Sequence, residues 1–164
     1  MKHLKRFGNL NEDNSQFKIS NFYIPQGERS SVTIDDIIGK IVKHIAYDSE
    51  TLTLVCTDRE NEEIYYHFYH EEDCCESVWL DDIVGDLSDL LDYPILKAEE
   101  KTNSDDDSKP KNGSLDDSFT WTFYTLETYN GYVDLRFIGT SNGYYSESVN
   151  ISKTIPFEKN KLYN

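Results

Sequence analysis

Hydrophobic and polar positions alternate with a period of two along most of this chain, which predicts strands. In residues 40–47, Ile41, Lys43, Ile45 and Tyr47 fall on one face, and Val42, His44 and Ala46 on the other. Residues 51–57 (TLTLVCT) and 63–69 (EIYYHFY) repeat the pattern after the polar turns Asp48-Ser49-Glu50 and 58–61. These three runs read as an antiparallel meander. The last third behaves alike. Residues 119–126 (FTWTFYTL) alternate, Tyr129-Asn130-Gly131 marks a hairpin turn, and residues 132–138 return. Residues 139–143 turn again, and 144–151 come back as a further strand.

One stretch departs from the period of two. Ile83, Val84, Leu87, Leu90 and Leu91 recur at i, i+1, i+4, i+7 and i+8, the spacing of an amphipathic helix over 81–91. Asp81 and Asp82 would sit at its start, where the helix dipole favours anions. Asp82, Asp86 and Asp89 would share its outer face, and Tyr93-Pro94 would end it. Residues 74–80 read as a short strand leading into this helix, and 95–99 as a strand after it. The flanks are polar. Residues 1–31 are expected to be loosely ordered, apart from a short strand within 17–24 that Pro25-Gln26-Gly27 ends. Residues 101–118 form a flexible acidic loop without calcium-loop spacing, and 153–164 a polar tail. The fold expected is therefore α+β, a single domain over 32–152. A tyrosine-rich antiparallel sheet or partly closed barrel would carry one main amphipathic helix near 81–91.

Composition supports a folded chain: 164 residues, 37% hydrophobic and 13% aromatic, with 12 tyrosines. Charge sharpens the picture. The net charge is −15, and residues 70–100 hold −10 of it, with Lys97 their one basic residue. Such a field disfavours nucleic acid and anionic membranes and steers basic partners. No run of 18 apolar residues is present. Three cysteines, two of them adjacent, do not make a disulfide framework. The expected setting is a reducing cytoplasm, with Cys74 and Cys75 as buried thiols.

His67, His70, Cys74 and Cys75 have a spacing, H-x2-H-x3-C-C, that departs from zinc patterns. A nucleophilic Cys74 with His70 as base is disfavoured by Asp73 and Glu76, whose charge raises a thiol pKa. No cofactor or metal is assigned. The other dense polar cluster, SNGYYSE at 141–147, offers hydroxyls, an amide and a carboxylate beside two rings.

These two clusters also carry a resemblance. Asp73-Cys74-Cys75-Glu76-x-Val78, then Asp81-Asp82-Ile83-x-Gly85-Asp86-Leu87-x-Asp89-Leu90, with Pro94-Ile95 and Ala98-Glu99-Glu100 after them, forms one signature. Thr120-Trp121-Thr122-Phe123-Tyr124 through Ser141-Asn142-Gly143-Tyr144-Tyr145-Ser146-Glu147-x-Val149 forms the second. Together they resemble an uncharacterised family of small phage and prophage proteins over residues 40–151. Asp92-Tyr93-Pro94 departs from the Gly that usually precedes the family's Pro.

The resemblance implies a phage-encoded accessory protein in the cytoplasm of a bacterial host, in a genre rich in inhibitors of host factors and defence proteins. On charge, the expected activity is the blocking of a basic host surface, with DNA mimicry as one route. Glu71, Glu72, Asp73, Asp82, Asp86 and Asp89 would carry it, and a homo-oligomer stays open. The alternative is a pocket for a small molecule such as a nucleotide signal. It would be built from His70, Cys74, Cys75, Glu76, Ser141, Asn142, Tyr144, Tyr145 and Glu147, with Arg136 or Lys97 for phosphate. A cysteine- or metal-dependent hydrolase is the third reading.

Overall fold

The computed structural model describes residues 13–104 and 118–158. The first dozen residues, most of the expected acidic loop and the end of the tail lie outside them. Among the described residues, nine strands form two antiparallel sheets: β1 (Gly27–Ser31), β2 (Ile41–Tyr47), β3 (Leu52–Thr57), β4 (Glu63–Tyr69), β5 (Ser77–Val84), β6 (Lys97–Asn103), β7 (Ser118–Thr128), β8 (Gly131–Ser141) and β9 (Asn150–Pro156). One sheet runs β1-β9-β4-β3-β2 and the other β5-β8-β7-β6. They share one core. Leu54, Tyr66 and Phe68 of the first sheet pack with Tyr124, Leu126, Leu135 and Phe137 of the second. The Tyr124 ring meets Phe68 and Phe137 edge-on at 5.1 and 6.1 Å.

The meander of β2, β3 and β4 and the hairpin of β7 and β8 match the alternation in the sequence. The helix does not form. Among the described residues there is no α-helix, only 3-10 turns at Ser15–Phe17, Ile34–Ile37 and Leu87–Leu90. The α+β expectation is thereby corrected to an all-β architecture of two sheets. Residues 81–84 finish β5, paired with β8 through a bulge between Leu80 and Asp82. Gly85 then turns the chain at φ 106°, and Asp86 caps the 3-10 turn by accepting the Ser88 N–H at 2.9 Å. The physical reason is local. Four aspartates, a glycine and β-branched residues make 81–89 a poor helix former. Leu87 and Leu90, three apart, are both fully buried by a single 3-10 turn. Val84, which a helical stripe would bury, is exposed. Gly85→Ala separates the two folds. A helix would gain from alanine, whereas this turn should lose roughly 1–2 kcal/mol in a denaturant titration.

The flanks also differ from expectation. The N-terminal strand is Gly27–Ser31, after the Pro25-Gln26-Gly27 turn and not before it, and pairs with β9. β6 extends to Asn103, into the segment read as loop. Residues 142–149 form a connection, and the last strand begins only at Asn150. That strand leaves the second sheet, enters the first between β1 and β4, and continues to Pro156 into the expected tail.

Candidate functional site

The inner face of the second sheet changes character along its length. On β7 the inward positions run from Leu126 and Tyr124 to Thr122, Thr120 and Ser118, apolar giving way to hydroxyl-bearing. Their register partners on β8 run Val133, Leu135, Phe137, Gly139 and Ser141. The connection at 142–149 folds back over this polar end. Gly139 makes room for it: a Cβ there would fall on the Glu147 carbonyl oxygen and lie 2.7 Å from Glu147 Cβ.

Two buried carboxylates hold the connection and the opposing turn. Glu147 accepts hydrogen bonds from Ser141 Oγ, from Thr120 Oγ1 at 2.8 Å and from Ser118 Oγ at 3.2 Å. Ser141 Oγ also accepts the Gly143 N–H, and Asn142 Oδ1 accepts that of Tyr144. Glu76 is the second, its side chain without exposed surface. It accepts backbone N–H groups from Asp73 at 2.6 Å and from Cys74 and Cys75 at 3.1 Å each. It also takes a hydrogen bond from His70 Nε2 at 2.8 Å. The Asp73 amide first, and His70 second, hold its carboxyl down at about 2. His70 Nδ1 in turn faces the Ser148 carbonyl oxygen at 2.7 Å. Both ring nitrogens are engaged, Nδ1 by a carbonyl oxygen and Nε2 by a carboxylate. His70 thus ties the two motif clusters together, and Glu71 N–H adds a bond to Asn150 Oδ1.

Cys74 and Cys75 are not buried thiols. Both are exposed and joined to each other as a disulfide. Residues 74 and 75 lie in a bend gathered around Glu76, not in the strand expected over 74–80. The third cysteine, Cys56, is the buried free thiol, and burial pushes it up to about 12. His67 lies across the first sheet, bonded to Thr53 Oγ1 and stacked on Tyr69. Burial, chiefly, lowers its pKa. Among the described residues no three His, Cys, Asp or Glu side chains are grouped to hold a metal.

Arg136 does not reach either cluster. It bonds Asp81 at 2.7 Å, lies 3.6 Å from Asp82 and sits over the Trp121 ring. Lys97 pairs with Glu99 at 3.5 Å on β6. The six acids expected on one surface fall into two groups. Glu71, Glu72 and Asp73 are exposed on the β4–β5 connection. Asp82, Asp86 and Asp89 lie near the far end of β5, roughly 23 Å away along its eight residues. There Asp81 and Asp82 also line a cleft of about 470 Å³ with Asp13, Asp48 and Lys18.

The structure adds a cavity that sequence reasoning missed. It measures about 330 Å³ and lies between the 145–149 segment and the polar inner face of β6 and β7. Tyr145 and Glu147, two of the expected pocket residues, line it. Glu100, Thr120, Thr122 and Tyr124 do so from the sheet. Tyr144 is outside it, 84% exposed and edge-on to Tyr145. Tyr124 is fully buried, and its hydroxyl makes no hydrogen bond among the described residues. Burial first, and Glu100 next to it, hold the phenol well above its ordinary value. The alternation of Thr120, Thr122 and Tyr124 was the available signal; only the pairing with β6 shows that it faces a cavity.

The sequence pattern of a domain of unknown function, DUF7448, matches residues 35–151. The chain belongs to the DUF7448 family. The matched span begins in the 3-10 turn before β2 and ends in β9, so it includes both buried carboxylates, the cavity and the core of both sheets. No curated protein and no solved structure matches the chain. Within the described residues no helix is long and apolar enough to cross a membrane.

Proposed function

We propose that this DUF7448 protein acts by binding and not by catalysis, and that it occludes a basic surface on a partner protein. The observation that carries this reading is the connection at residues 71–73. Glu71, Glu72 and Asp73 are exposed, and among the described residues no cation pairs with them. Their backbone is fixed at both ends, by Asn150 on Glu71 and by Glu76 on Asp73. Three charges held in place lose little conformational entropy on docking and raise the encounter rate with a basic partner. The acid-rich cleft beside Asp81 and Asp82 extends the negative field along β5. The resemblance of the DCCE and SNGYYSE motifs to phage proteins supports a partner of bacterial origin, a host factor or defence protein, with DNA mimicry as one mode of blocking.

The hydrolase reading is less well supported. Both nitrogens of the imidazole that would serve as base are engaged, by the Ser148 carbonyl and the Glu76 carboxylate, and a base needs a free lone pair. The phosphate-reading pocket would need a cation at the motif clusters, and Arg136 is engaged with Asp81 elsewhere.

The test is a capture experiment from bacterial lysate with the intact protein and a Glu71→Gln/Glu72→Gln/Asp73→Asn triple variant. Capture should fall about tenfold in the variant and as salt is raised from about 50 to about 500 mM. A partner retained equally by both proteins at both salt levels overturns the reading.

A further inference from the structure

The cavity between β6–β7 and the 145–149 segment is chemically distinct from the acidic connection at 71–73, and its walls ask for a particular ligand. Glu147 is a buried carboxylate whose three donors are all neutral hydroxyls, and among the described residues no cation reaches it. A buried carboxylate is stabilised most by a positive partner at hydrogen-bond distance. A second carboxylate, Glu100, stands directly across from Tyr124 in the β6–β7 register and lines the same space. Tyr124 supplies an independent sign of a missing partner. It is fully buried in the wall of the cavity beside Glu100, and among the described residues its hydroxyl has no hydrogen bond of normal geometry, although hydroxyls of Thr120 and Thr122 share the strand face. A buried phenol in this state is costly unless something completes it. Tyr145 adds an aromatic ring, a favourable neighbour for a cation. The volume, about 330 Å³, is at the small end of ligand sites.

We propose that this cavity binds an alkylammonium or guanidinium group. Its charge would be met by Glu100 and Glu147, its N–H groups would be accepted by Tyr124 Oη and the threonine hydroxyls, and its stem would lie along Tyr145. Two sources share this chemistry, a free small amine and a lysine or arginine side chain of a polypeptide. The site does not depend on the acidic connection at 71–73, so it stands or falls separately from the occlusion of a basic surface.

The experiment is a titration of the intact protein followed by calorimetry and by amide chemical shifts. The probes are putrescine, a capped Gly-Lys-Gly peptide and a capped Gly-Arg-Gly peptide, with 1,4-butanediol as the neutral counterpart of putrescine. Saturable binding of at least one cationic probe is expected, with shifts concentrated at Thr120, Thr122 and Tyr145. Which probe binds tightest identifies the source. Glu100→Gln should weaken binding about tenfold, and Tyr124→Phe about fivefold. Glu100 is exposed on an edge strand, so Glu100→Gln tests the site without a demand on folding, and melting curves verify this for both variants. Equal binding of 1,4-butanediol overturns the proposal. So does the absence of saturable binding up to about 10 mM. Shifts confined to residues 71–73, or unchanged affinity in both variants, overturn it as well.

Discussion

Glu76→Gln lowers the melting temperature by roughly 10 °C at neutral pH, the largest loss expected from any single polar substitution in this protein. The reason is the number of donors that converge on one side chain. Three successive backbone N–H groups and the His70 ring all point at the Glu76 carboxylate. Glutamine offers one oxygen in place of two and brings an NH₂ that faces donors. It also breaks the match with His70, a side chain 4% exposed whose Nε2 lies 2.8 Å from the carboxylate. The same geometry fixes the acid response. The carboxyl is held at about 2 in the folded protein, against 4.5 for an ordinary glutamate. Between those values the unfolded chain binds more protons than the folded one, so stability rises with pH through this window. The stabilisation is complete above about 4.5 and is lost as pH falls towards about 2. Denaturant titrations at stepped pH should show this slope in the wild-type protein and a shallower one in Glu76→Gln. Equal slopes would mean that Glu76 is not held as a carboxylate by these donors.

How much of this was readable beforehand depends on the range of the interaction. The β2–β3–β4 meander and the β7–β8 hairpin were legible because period-two alternation and an Asn-Gly turn act within a few residues. The supposed helix failed because Ile83, Leu87, Leu90 and Leu91 satisfy a helical spacing and equally a strand end followed by a 3-10 turn. Only pairing of β5 with β8 decides between them. Glu76 and Glu147 belong to polar clusters in the sequence, but nothing local to them shows their role as anchors. Glu147 is defined by Thr120 and Ser118, twenty-seven and twenty-nine positions away. The cavity was least legible, since Glu100 meets Tyr124 only through the β6–β7 register and the roof comes from the chain's return at 145–149. The acidic clusters separate for the same reason: residues 71–73 are exposed on the β4–β5 connection, whereas placing Asp82, Asp86 and Asp89 on one face with them needs the helix that does not form.

Gly139→Ala should be the second severe substitution, costing about 3 kcal/mol, because it acts on the position where a sheet and a returning chain have no space between them. Gly139 sits on β8 between Val78 of β5 and Thr120 of β7, so its own backbone is fixed from both sides. The added Cβ would meet the carbonyl and Cβ of Glu147, which are a backbone group and the carbon bonded to Cα, so neither can rotate away. The 142–149 connection must therefore lift, and two consequences follow. Glu147 would lose the hydroxyls of Ser141, Thr120 and Ser118, and the Ser148 carbonyl would be drawn off His70. Because the strain reaches both buried carboxylates, Gly139→Ala and Glu76→Gln should be non-additive, the double variant losing less than the two single losses combined. Urea titrations of the two single variants and the double variant measure this directly. Full additivity would show that the Ser148–His70 contact does not couple the two motifs, and the SNGYYSE segment would then be positioned by Glu147 alone.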